Sequence, residues 1–130
     1  MPLVPVNPGS LAPPRGYSHG MKGSGPVLFV AGQVAWDREG RMVSADFVEQ
    51  FARALDNVLE VVRAAGGDAG SVARMVAYVT DKDEYRRRAK ELGEAWRRRM
   101  GRHYPAMALV EVKSLLEDDA KVEIEATAIL

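Results

Sequence analysis

Between residues 47 and 129 the hydrophobic pattern switches twice from helical to extended period, which restricts the chain to a layer of helices against a sheet. Phe47, Phe51, Leu55, Val58, Leu59 and Val62 recur at three- and four-residue spacing, while Glu49, Arg53, Asp56, Glu60 and Arg63 fall largely elsewhere. That spacing predicts an amphipathic helix. Asp46 is placed to cap its start, with Glu49 three residues on, and Gly66-Gly67 to end it. The run SVARMVAYVT at 71–80 is β-branched and apolar, as a buried strand requires. Asp81 and Glu84 open a second helix with an apolar stripe of Tyr85, Ala89, Leu92, Trp96 and Met100, which Gly101 and Pro105 bring to a stop. Two more strands are expected at about 106–113 and 121–129, joined by LLEDD.

Upstream, GYSHGMK and VLFVAGQV flank the turn-forming GSGP, which predicts a first hairpin with strands near 16–21 and 27–34. Residues 1–15 carry five prolines among small residues and read as an extended, poorly paired arm, because proline removes amide donors. The order is then β-β-α-β-α-β-β in a single α+β domain over residues 16–130. No internal repeat interrupts it.

A chain of 130 residues suits one domain, and 47% apolar with 28% charged residues is ordinary for a globular protein. Lys+Arg and Asp+Glu balance at 18 each, so no net charge points to nucleic acid or an anionic membrane. The chain has no cysteine, which removes disulfides and thiol chemistry. Its longest apolar run, PVLFVA, is far short of a bilayer span, and no secretory signal is read at the start. A cytoplasmic enzyme or binding protein is the expectation.

Strand parity bears on assembly. In the last strand Val122, Ile124, Ala126 and Ala128 share one face, opposite Glu123, Glu125, Thr127 and Ile129. In the strand before it, Ala106, Ala108, Val110 and Val112 are expected under the helices, with Met107, Leu109, Glu111 and Lys113 on the far side. A far face mixing large apolar groups with acids suits neither water nor a dry core. A subunit interface reconciles the two demands.

Five segments then resemble one family in order and spacing. GYSHG is similar to its Gly-Pro-Tyr-Ser-Gln-Ala, LFVAGQV to its Phe-Val-Ser-Gly-Gln strand, and MVAYVTDKDEY to its strand-to-helix junction. YPAMALVEV is similar to its Pro-Ala-Arg-Ser strand, and KVEIEATA to its terminal Val-Glu-Ile-Glu-Ala. The family is RidA/YjgF, and the likeness covers roughly residues 15–129. It implies a chorismate-mutase-like fold assembled as a homotrimer, sheets inward and helices outward, with small-molecule pockets in the clefts between subunits. It also implies hydrolysis of imines or enamines without metal or organic cofactor. An acid at the position of Glu123 would hold the attacking water. Tyr17 would close the pocket from a neighbouring subunit, and backbone around Gly32 and Ala108 would complete it.

The departure from the family pattern is Met107, which stands where deaminating members carry the arginine that grips the substrate carboxylate. Such a charge-assisted contact contributes roughly 1.5–3 kcal/mol, and losing about 3 kcal/mol costs on the order of a hundredfold. Arg102, in the loop before the strand, is the candidate replacement clamp; the competing reading for Arg102 and His103 is a solvated turn. Glu123 is either a base or one half of a cross-strand ion pair with Lys113 or Arg74. His19 reads as a packing residue. The arginine triplets at 86–88 and 97–99 read as a solvated helix face supported by Glu84–Arg88 and Glu94–Arg98 pairs. Two functions are therefore carried forward. One is a deaminase with weak activity on 2-iminopropanoate and a different preferred substrate. The other is a non-catalytic trimer that binds a small molecule or a protein.

Overall fold

The computed structural model describes residues 2–130. Six strands, β1 (Val4–Val6), β2 (Gly20–Lys22), β3 (Val27–Gln33), β4 (Val72–Val79), β5 (Ala106–Glu111) and β6 (Val122–Ile129), combine with three helices. These are α1 (Phe47–Ala64), α2 (Lys82–Arg87) and α3 (Ala89–Met100). The main sheet has the order β3-β6-β4-β5, in which β4 and β5 run parallel and the other contacts are antiparallel. A parallel neighbour needs a long crossover, and α2 with α3 supplies it.

The core lies between one sheet face and the helices. Phe47, Phe51, Leu55, Val58, Leu59 and Val62 are all buried, as their spacing predicted, against Met75, Ala77, Val79, Val122, Ile124, Ala126 and Ala128. Asp46 caps α1 by accepting from the Glu49 amide at 3.0 Å, and Ser44 links the two acids by donating to Glu49 while receiving the Asp46 amide. Gly66 takes φ +93° after the helix, a conformation that favours glycine. Buried Gln50 donates to the carbonyls of Ser44 and Asp119 and accepts from the Lys121 amide, which ties the 113–121 connection to α1.

Three expectations change. The hairpin of 16–21 with 27–34 does not form: β2 pairs instead with β1 from the proline-rich arm, while β3 joins β6. The arm is extended, and its pairing uses a stretch where only Pro5 lacks a donor. His19 secures it further, its amide bonding to Asn7 and its ring to the Ala12 carbonyl at 2.7 Å. The second helix is divided at Arg88, whose guanidinium gathers Asp46 at 3.0 Å, Glu84 at 3.6 Å and Glu91 at 2.8 Å. The Glu84–Arg88 pair thus forms, while Glu94–Arg98 is not among the ion pairs of the described residues.

The third change is the parity of β5. Met107 stands beside Met75 and Leu109 beside Ala77, and both partners are fully buried on the helix side. The larger side chains of β5 therefore pack towards the core, while Ala108 and Val110 point the other way. Alternation alone cannot say which face is inner; the parallel register with β4 decides it.

Candidate active site

The face of the sheet away from the helices holds an acidic cluster. On β6 the side chains alternate strictly, so Glu123, Glu125 and Thr127 are half-buried on this face while their neighbours are buried on the other. On β4 the register sets Tyr78 opposite Glu123, Val76 opposite Glu125 and Arg74 opposite Thr127. The Tyr78 hydroxyl donates to Glu125 Oε1 in a short hydrogen bond. That bond, followed by burial and the charge of Glu125, holds the Tyr78 phenol above its ordinary range.

Glu123 is left differently. It has no hydrogen-bond or ion-pair partner among the described residues, so neither Lys113 nor Arg74 neutralises it. Its carboxylate lies against Gly32, at the place a β-carbon would occupy. The room arises from sequence and pairing together: β3 bulges between Val30 and Gln33 opposite Ala126 and Ile124, and Gly32, one of the two residues in the bulge, has no side chain. One acid of the pair is thus satisfied by a phenol, and the other is presented free beside bare backbone. Such a carboxylate can orient a water and accept its proton.

The other predicted residues distribute around this centre as follows. Ala108 shares the face of Glu123, while Met107 occupies the opposite face and is not brought to it. Gly32 meets Glu123 directly. Tyr17 lies beside β5, because Ser18 bridges to Ala106 and donates its hydroxyl to the Tyr104 carbonyl at 2.6 Å. The Tyr17 ring packs edge-on against His19 with centroids 5.4 Å apart. Arg102 is exposed in the turn after α3 and forms no ion pair with Glu123 among the described residues. Its neighbour His103 is held to the Val72 carbonyl at 2.7 Å.

Residue reasoning did not single out Tyr78 or Glu125. The signal was present in SVARMVAYVT, where period two places Arg74, Val76 and Tyr78 on one face. The same face exposes Phe29, at 80%, with Val27 and Val110.

The α+β fold of this chain is met again in known proteins. The family model described as endoribonuclease L-PSP matches residues 8–130, and the chain belongs to that family, RidA/YjgF. A RutC family protein of Pyrococcus horikoshii is 33% identical over 113 residues, covering 86% of this chain and 85% of that protein. The 2-iminobutanoate/2-iminopropanoate deaminase of Escherichia coli is 31% identical over 105 residues, covering 81% and 80%. Among solved structures, the Rid-family protein YyfB of Yersinia pestis superposes with a TM-score of 0.89 at 32% identity, over 100% of both chains. Relatives of this chain thus include proteins named as deaminases, and its α+β fold is that of the Rid structures.

Proposed function

We propose that this protein is a hydrolytic deaminase of imines or enamines that works through Glu123, in pockets between the subunits of a homotrimer. The observation that carries the reading is the Glu123 carboxylate over the Gly32 backbone, without an ion-pair partner among the described residues. In the reaction, Glu123 accepts a proton from water as the water oxygen adds to the carbon of the protonated imine, giving a neutral carbinolamine. Glu123 then returns that proton to the nitrogen, the C–N bond breaks, and the hydroxyl proton leaves with the departing ammonia as ammonium, giving the carbonyl product. The exposed Phe29, Val27 and Val110 on the same face support the assembly, since apolar surface of this kind is what subunit contacts cover. Sheets would then lie inward and helices outward.

The substrate is one whose binding does not depend on a guanidinium at position 107. Methionine offers packing there and no donor, and it stands on the helix side of the sheet. A coupled assay tests the reading. An amino-acid oxidase supplies 2-imino acids, an amine oxidase supplies imines without a carboxylate, and carbonyl formation is followed with and without the protein. Acceleration is expected to be larger for the second group and lost in Glu123→Gln. Equal rates for Glu123→Gln and the parent on every imine would sink the proposal. A non-catalytic binding trimer is the second reading, and the separation of Met107 from Glu123 is the observation that favours it.

A further inference from the structure

A cleft of about 650 Å³ opens between α1 and the chain that leaves β3. Trp36, half-buried, lines it together with Arg38 from the following turn and Arg53 and Arg63 from α1. The volume falls within the span of ligand pockets, roughly 300–1,000 Å³. The cleft belongs to the helix side of the sheet, since Gln33 at its edge pairs with the buried Ile124.

One asparagine organises this cleft. Asn57 Nδ2 donates to the carbonyls of Val34 and Trp36, both at 3.0 Å, and its Oδ1 accepts from Arg53 Nε at 3.1 Å. The segment that carries the indole and the helix side chain that carries a charge are thereby fixed to one another. Only Nε of Arg53 is used in this way. Its two terminal nitrogens make no hydrogen bond with the described residues and are left as a planar fork.

The charges of the cleft are engaged unequally. Arg38, Arg53 and Arg63 have no carboxylate within ion-pair distance among the described residues. Two of the lining acids are already occupied. Asp56 holds Arg99 at 2.6 Å, and Asp37 accepts the amides of Glu39 at 2.9 Å and Arg41 at 3.0 Å. Glu60, exposed on α1, is the lining acid left without such a partner among the described residues. Three guanidiniums around one indole suit an oxyanion carried on a flat ring, because charge-assisted bonds favour the anion and aromatic rings stack. A phosphate monoester brings nearly two charges and three acceptor oxygens, which a fork and two further cations can use.

We propose that this cleft binds an aromatic phosphate monoester, its phosphate at the Arg53 fork between Arg38 and Arg63 and its ring against Trp36. The site is separate from Glu123, which lies on the other face of β6 from Ile124, and it does not rest on imine hydrolysis.

Phenyl phosphate, inorganic phosphate and phenyl sulfate are titrated into the protein by calorimetry while the indole N–H signals are followed by NMR. Trp96, in a different cavity, is the internal control for Trp36. Phenyl phosphate should move the Trp36 signal and leave Trp96 in place. It should bind about tenfold more tightly than inorganic phosphate, which lacks the ring, or phenyl sulfate, which lacks the second charge. Trp36→Leu should bring phenyl phosphate down to the affinity of inorganic phosphate. Arg53→Gln keeps a donor for Asn57 and should weaken both phosphates by about tenfold or more. Glu60→Gln removes the free acid and should tighten phenyl phosphate by about twofold, a gain that misfolding cannot produce. Glu123→Gln should bind as the parent does, whatever becomes of imine hydrolysis. Equal affinity for phenyl phosphate and phenyl sulfate, an unmoved Trp36 signal, or parental binding in Arg53→Gln would each overturn the proposal.

Discussion

Met107 faces Met75 across the parallel contact of β4 and β5, and the sheet separates both from Glu123. The side chain that departs from the family pattern and the carboxylate that keeps it are therefore on different sides of one layer. Met107 shares its space with Arg97 and Trp96, and Glu123 shares its own with Gly32, Tyr78 and Glu125.

A guanidinium introduced at position 107 enters the cavity where Arg97 already stands. Met107→Arg should lower stability by about 1–3 kcal/mol, because a charge is desolvated beside a like charge. The Arg97→Gln background should recover part of that loss. A double-mutant cycle in urea checks it: zero coupling would mean that the two residues do not share the cavity.

The two faces of the sheet predict opposite consequences for a new carboxylate. Leu109→Asp puts a charge against the core and should destabilise the subunit itself by about 3 kcal/mol or more. Phe29→Asp, at a site 80% exposed, should leave subunit stability within about 0.5 kcal/mol and disrupt self-association instead. Denaturation and light scattering on the two variants distinguish the cases. A Phe29→Asp protein that assembles as the parent does would count against an interface on this face.

Acid stability should depend on Asp46. The Arg88 guanidinium, then the Glu49 amide, hold its carboxyl below the ordinary aspartate range, so the folded state binds its proton less readily than the unfolded chain. The stabilisation is present in full above the unfolded-state value and is lost as pH falls through the depressed folded value. Asp46→Asn keeps a capping side chain and removes the charge. Its unfolding free energy should therefore change less than the parent's over the acid limb, in parallel chemical denaturation series.

Much of this architecture was legible in the residues. The stripe from Phe47 to Val62 fixed α1 and its buried face, and the strict alternation of β6 put Glu123 opposite Val122 and Ile124. What failed was information that pairing supplies. In β5 an Ala-Met-Ala-Leu run has apolar residues on both faces, so only the register with Met75 and Ala77 identifies the inner one. The partner of β2 was likewise hidden, since a proline-rich arm carries little strand signal and wins its place through a short local ladder. The acid pair was half legible: Glu123 stood out by resemblance, whereas Tyr78, which engages its neighbour Glu125, lies 47 residues from that partner in sequence.

Gly32 offers the most direct test of why Glu123 is free. A β-carbon at position 32 would fall on the Glu123 carboxylate, so Gly32→Ala must displace either that side chain or the bulged segment of β3. The backbone at Gly32 does not require a glycine-only conformation, and the substitution adds no strain of that kind. Tyr78 stands opposite Glu123 on β4, and its phenol already serves Glu125. Gly32→Ala should thus remain folded, with a thermal midpoint lowered by a few degrees. It should lose imine hydrolysis by about tenfold to a hundredfold, approaching Glu123→Gln, because a misplaced base no longer meets the water it must deprotonate. Combining the two substitutions should add little further loss, since both remove the same positioned carboxylate. Rates on a single imine across the four proteins decide the matter, and a fully active Gly32→Ala enzyme would show that Glu123 does not act from its place over this strand.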